Sequence, residues 1–200
     1  MSRCWSSARG PLRRFAKARL LSDSAFIGRP PGGTPYDVGM AGPNDALIER
    51  FYGAFARRDG AEMAACYAPN VHFRDPAFGD LEGAEAGAMW RMLATTARDF
   101  RLELLEHAST TTGGSAHWLA HYTFSQTGRP VVNDVQATFR IAAGLIVDHV
   151  DSFDFTRWAS QALGPRGRLL GWTPFLRSAV RRRARANLER FVANERSPTV

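Results

Sequence analysis

The stretch from residue 100 to 155 does most to limit the fold. It holds four runs with the two-residue alternation of β-strands: FRLELLEHA (100–108), SAHWLAHYTFS (115–125), PVVNDVQATFRIA (130–142) and GLIVDHVDSFDF (144–155). The linkers TTGG, TGR and AAG are short and rich in turn residues, so successive strands are expected to pair as antiparallel hairpins. Three segments with helical character precede them. ALIERFYGAFARRD puts Leu47, Ile48, Phe51 and Phe55 on one face, with Asn44 or Asp45 as its cap. AEMAACYA predicts a second helix that stops at Pro69, and residues 83–97 a third, apolar at Met89, Trp90, Leu93 and Ala94. Between the second and third, VHFRD alternates as a strand, with Val71, Phe73 and Asp75 on one side and His72 and Arg74 on the other. Helices first and hairpins after argue an α+β domain with a curved antiparallel sheet.

The net charge of +7 points to nucleic acid only until it is split by position. Residues 1–39 and residues 173–200 each carry seven basic and two acidic side chains, while residues 40–172 carry 12 arginines against 15 carboxylates. The folded part is therefore acidic, and a nucleic-acid surface on it is not expected. Cys4 and Cys66 form no disulfide framework or zinc spacing, which fits a reducing, cytoplasmic setting. No apolar run approaches the length of a membrane span. Residues 1–39 lack apolar periodicity and end in RPPGG, so they are expected to be disordered, or an extension upstream of a start at Met40. Residues 156–196 read as a helical extension. In WTPFLRSAVRRRARANLERFV, Thr173 is the cap, Pro174 stands at the first helical position, and Leu176, Val180, Ala184, Leu188 and Phe191 form one apolar side.

LIERFYGAFARRDGAEMAACYAPNVHFRDPAFGDLEGAEA resembles the opening of the nuclear transport factor 2-like superfamily, which includes ketosteroid isomerases and SnoaL-like cyclases. Gly144 to Asp154 resembles its last strand, and FDFTRWASQAL with LLGWTPFLRSAVRRRAR resembles a bacterial subgroup with no assigned reaction. The resemblance implies a cone-shaped domain over residues 40–155, its curved sheet wrapped around three N-terminal helices and enclosing an apolar pocket. It also implies a homodimer through the open face of the sheet. Because members include enzymes and plain binding proteins, it fixes no activity.

Asp75, in HFRDP, matches the position of the general base of ketosteroid isomerases. It is equally well placed to cap backbone amides before Pro76. The family's oxyanion donors are a tyrosine and a protonated aspartate. Here the tyrosine position falls on Phe51, with Tyr52 next to it, and the aspartate position on Gln136 or Ala137. A steroid isomerase of that type is not expected. His149 and Asp151 lie on the strand where SnoaL-like cyclases carry an acid–base aspartate. Strict alternation groups them with Val147 and Phe153, facing either the pocket or, if Ile146 and Val150 are buried, the solvent. Phe51, Tyr52, Phe73, Trp90, Trp118, Phe139 and Phe153 are the expected pocket walls. His117 and His121 lie too far apart along a strand for a shared zinc.

Two functions are carried forward. One is a cofactor-independent isomerase, cyclase or dehydratase acting on a small apolar carbonyl compound, with Asp75 as base and His149–Asp151 as proton donor across the ligand. The other is a non-catalytic ligand-binding or dimerisation module.

Overall fold

The computed structural model describes residues 42–96 and 99–197, so the expectations for residues 1–39 lie outside it. In chain order these residues form α1 (Asp45–Ala56), α2 (Gly60–Ala65), β1 (Tyr67–Asp75), β2 (Gly79–Glu82), α3 (Ala84–Thr96), β3 (Arg101–Ser109), β4 (Gly113–Phe124), β5 (Arg129–Ala142), β6 (Leu145–Ser152), α4 (Phe155–Ala162), α5 (Pro165–Leu170) and α6 (Pro174–Arg196). The strands make one curved, unclosed sheet of order β2-β1-β6-β5-β4-β3. β3 to β6 pair antiparallel through their hairpins, and β1 runs parallel to β6. Ile48, Phe51, Tyr52 and Phe55 of α1 and Met89 and Trp90 of α3 pack against the inward residues Trp118, Val135, Phe139 and Ile146. Burying each such side chain contributes roughly 1.5–3 kcal/mol.

Four local differences from the sequence reading have physical causes. Tyr67 and Pro69 belong to β1, not to the second helix. A proline restricts the residue before it to extended backbone and cannot donate to a ladder. Accordingly, the β1–β6 register shifts between Tyr67 and His72, where Pro69 sits. The short strand β2 folds back on β1 through a turn from Asp75 to Gly79, where Gly79 has φ +75°. Neither Asn44 nor Asp45 caps α1 from the cap position: the Asn44 side chain donates to Thr110 O (2.6 Å), and Asp45 is the first helical residue. In β6, Arg140 pairs with Asp148 but Ile141 pairs with Ile146, so Val147 is an extra residue. This bulge lets Ile146, His149 and Asp151 all point inward, which strict alternation forbids.

The outward face of the sheet is largely polar. His117 pairs with Asp134 (2.8 Å), His121 with Glu103 (3.2 Å), and His72 with Asp148 and Asp80.

The C-terminal helices lie against the domain. The Gln161 side chain of α4 takes the place of a strand neighbour for Val132, accepting from its N–H (2.8 Å) and donating to its carbonyl (3.1 Å). Thr173 caps α6 by accepting from Leu176 N–H, with Pro174 in the first turn. Leu176, Val180, Ala184, Leu188 and Phe191 all face the body. Arg185 donates to the carbonyls of Phe78 (3.1 Å) and Asp80, and Arg91 makes a two-pronged contact with Glu195 (2.9 and 2.8 Å). Among the described residues no helix is long and apolar enough to cross a membrane.

Candidate functional site

A cavity of about 740 Å³ lies between the concave face of the sheet and helices α3, α4 and α6. Its walls are apolar, with Phe73, Met89, Trp90, Trp118 and Phe153 among them. Asp75, Asp151, Tyr122 and Asn133 reach it from the sheet, and Arg183, Asn187 and Arg190 from α6.

Asp75 ends β1. Its Oδ1 accepts the N–H groups of Ala77 (3.0 Å) and Phe78 (2.5 Å), which fixes the turn into β2. Burial nevertheless pushes its carboxyl up to about 7, with the charge of Asp151 adding to the rise and the backbone N–H groups opposing it. The parallel register explains the coupling. Phe73 lies beside His149 and Arg74 beside Val150, so the next inward pair is Asp75 and Asp151.

Tyr122 stands on the inward row of β4, one inward position before Phe124 at the strand's end. Its hydroxyl oxygen accepts the indole N–H of Trp158 (2.8 Å), leaving its own proton for another acceptor. Burial raises this hydroxyl to about 12; the Trp158 bond opposes the rise and the charge of Asp75 adds to it. Asn133 lies opposite Ala120 and Tyr122 opposite Val131. Asn133 and Tyr122 are thus diagonal neighbours on one face, within joint reach of a ligand atom.

His149 does not border the cavity. It is fully buried in a box of Phe51, Phe73, Trp90 and Phe139 rings, lying parallel to Trp90 with centroids 6.0 Å apart. Its Nδ1 lies 2.6 Å from Tyr67 Oη and its Nε2 3.0 Å from Asp151 Oδ1. Trp90 Nε1 donates to Tyr67 Oη (2.7 Å). That indole can only donate and the Asp151 carboxylate can only accept, so the Tyr67 O–H donates a hydrogen bond to Nδ1 and the Nε2–H donates one to Asp151. The chain Trp90, Tyr67, His149, Asp151 therefore has one direction and ends at the cavity wall. Burial lifts the Tyr67 hydroxyl well above its ordinary range, which keeps its proton in place.

Of the residues expected at the site, Asp75, Asp151, Phe73, Trp90, Trp118 and Phe153 border the cavity. Phe51, Tyr52 and Phe139 instead lie behind it in the core, because α1 presents that face to the box around His149. Asp75 and Asp151 sit on neighbouring strands, so the expected arrangement across a ligand does not hold; the group reaching in from a more distant strand is Tyr122. Sequence reasoning missed Tyr67, Tyr122, Asn133 and Trp158. Pro69 was the signal for Tyr67, and the inward alternation of β4 and β5 the signal for Tyr122 and Asn133.

The profile of the SnoaL-like domain family matches residues 48–149, from the middle of α1 to His149. The chain belongs to that family. Among solved structures, similarity extends to a protein of ketosteroid isomerase-like fold from Catenulispora acidiphila in complex with trimethylamine. It is 13% identical with a TM-score of 0.55, covering 67% of this chain and 100% of that one. A candidate polyketide cyclase from Xanthomonas campestris pv. campestris is 21% identical (TM-score 0.52; 60% and 96% covered). An LEH-like epoxide hydrolase from M. tuberculosis is 16% identical (TM-score 0.52; 63% and 92% covered). These likenesses establish the nuclear transport factor 2-like fold. No curated protein matches the sequence. Helices α4 to α6 lie beyond the family match, yet α6 supplies one wall of the cavity.

Proposed function

We propose that this SnoaL-like protein is an acid–base enzyme of the isomerase, cyclase or dehydratase kind, moving protons on a small, largely apolar carbonyl compound. The observation that carries the reading is Asp75, a carboxyl raised to about 7 that borders an apolar cavity shared with an unclaimed Tyr122 proton. A base with that affinity is substantially ionised at neutral pH and still strong enough to take a proton from carbon beside a carbonyl. As the proton moves to Asp75, the electron pair moves onto the carbonyl oxygen. Tyr122 O–H and the Asn133 amide donate hydrogen bonds to that oxygen. Asp75 then returns the proton to a different carbon, or the enolate carbon closes a ring onto a second carbonyl, whose π pair moves to its oxygen and takes the proton back from Asp75 to leave a hydroxyl. Tyr122 keeps its proton throughout, as its high pKa requires. Asp151, held by His149, supplies the neighbouring charge that keeps Asp75 basic. The likeness to a candidate polyketide cyclase and to an epoxide hydrolase supports this substrate range. In this reading the protein is a cytoplasmic homodimer, as cone-fold relatives commonly are.

The test is a screen of hydroxy-ketones, enones and epoxides for turnover, with each hit repeated in Asp75→Asn and Tyr122→Phe. Loss of turnover with ligand affinity kept supports the mechanism, and full activity in both variants sinks it. Binding without turnover across the panel would favour the second reading, a ligand-binding module. That reading rests on the two backbone N–H groups that Asp75 already caps.

A further inference from the structure

Residues 155–188 contain eight arginines and no acidic residue. The same stretch holds Leu169, Leu170, Trp172 and Phe175, which are large, apolar and exposed; Leu169 and Trp172 show 71% of their surface and Phe175 73%. These four side chains sit where α5 hands over to α6. The turn is well bonded: Thr173 Oγ1 donates to Leu170 O (2.6 Å), and Trp172 Nε1 donates to Leu169 O (3.0 Å). The apolar tip is thus held outward by its backbone. Arg166 and Arg168 on α5 are exposed beside it, and Arg182 shares a face of α6 with Phe175, two turns along. None of these three arginines has a carboxylate partner among the described residues. By contrast, Arg177 lies over the Phe155 ring at 5.2 Å and Arg185 is bound to the β2 turn.

An exposed apolar tip in a field of unpaired arginines selects its partner by charge. A second copy meeting it face to face would oppose arginine to arginine. Residues 1–41 of this chain carry seven basic and two acidic side chains, so they are repelled as well. We propose that this corner docks on an anionic lipid bilayer. Leu169, Leu170, Trp172 and Phe175 enter the boundary between head groups and acyl chains, and Arg166, Arg168 and Arg182 pair with lipid phosphates. Nucleic acid would satisfy the arginines but leave the aliphatic tip in water. Leu176 and Val180, the next turn of α6, already border the cavity. Docking therefore brings one wall of the cavity to the lipid.

The experiment is co-sedimentation of the full chain with vesicles of pure phosphatidylcholine and of equimolar phosphatidylcholine and phosphatidylglycerol. The expected result is binding to the mixed vesicles only, weakened by added salt. Arg166→Gln, Arg168→Gln and Arg182→Gln should each weaken it by about fivefold, the effect of one basic residue at such a surface. A combined Leu169→Ser, Trp172→Ser, Phe175→Ser variant should lose it. All these positions are exposed, and an unchanged melting temperature verifies that the variants fold. Failure of wild type to prefer the anionic vesicles overturns the proposal, without reference to any variant. So does undiminished binding by the triple variant, or retention on DNA with no vesicle binding.

Discussion

The buried end of the cavity and its α6 wall are built on opposite terms. Around His149, each residue of the chain from Trp90 to Asp151 is hydrogen-bonded to the next, and aromatic rings enclose the imidazole. Along α6, Arg183 and Arg190 border the same cavity but are exposed, and among the described residues Arg190 bonds only to Ala186 and Asn187 of its own helix. The buried end lies within the family match as far as His149, with Asp151 two residues past its edge, and the α6 wall lies wholly outside it. In the first region a change of one atom breaks a network; in the second a change of side chain alters only what the cavity accepts. Under the proposed function, acid–base chemistry would stay fixed while the range of ligands drifts.

The largest expected effect tests the chemistry of the first region. Asp75→Asn should reduce turnover by roughly 100- to 10,000-fold, since that is what a general base supplies. In wild type, turnover should rise with pH through about 7 as Asp75 ionises. Asp151→Asn should move that limb to lower pH by removing the neighbouring negative charge. Stability has the reverse sign. A carboxyl raised from 3.8 to about 7 on folding binds its proton more tightly in the native state. Its contribution is complete below about pH 4 and is lost as pH rises through about 7. Thermal melts should therefore show wild type losing ground to Asp75→Asn between roughly pH 4 and pH 7, and no further loss above that. Parallel curves would show that burial does not govern Asp75.

Next, His149→Ala should destabilise by about 3–5 kcal/mol, from the cavity left and from the stranded Tyr67 and Asp151 groups. A small loss in urea unfolding would mean that the buried end is less tightly specified than its bonding suggests. Tyr67→Phe and Tyr52→Phe make a finer comparison. Both hydroxyls are buried, but Tyr67 has two partners and Tyr52 none. The first change should cost about 1–3 kcal/mol and the second nothing, or a slight gain. Equal losses would contradict the assigned network. Smallest of all, Arg183→Gln and Arg190→Gln should leave the melting temperature and kcat unchanged and alter KM only, by less than about tenfold. A fall in kcat would bring α6 into the chemistry and erase the contrast.

The fold was legible because its signals are local. The hairpin turns, the D-G break at Asp59–Gly60, the cap at Thr173 and the five apolar positions of α6 all declare themselves within a few residues. The site was legible only in part. Asp75 and Asp151 could be named, but Tyr67 was read as the end of a helix. Its true strand depends on pairing with β6, eighty residues away in sequence, and only Pro69 hints at it. Tyr122 shares an alternating aromatic row with Trp118 and Phe124, a pattern that by itself reads as core. Its role depends on Trp158, which the turn after β6 brings back to it. That α6 forms a wall could not be read from its amphipathic pattern, which states that a face is covered and not by what.

The extra residue at Val147 bears on how this strand can change over time. Substitutions there exchange one half-buried side chain for another and are cheap. Deletion is another matter: with the count restored to strict alternation, either Ile146 or the pair His149 and Asp151 must turn to the outside. A lineage that lost this one codon would keep most of its sheet and forfeit the carboxylate beside Asp75 together with the imidazole that steadies it. Gaps at this position in related chains should therefore separate proteins with the buried imidazole from those without it, whatever their overall identity.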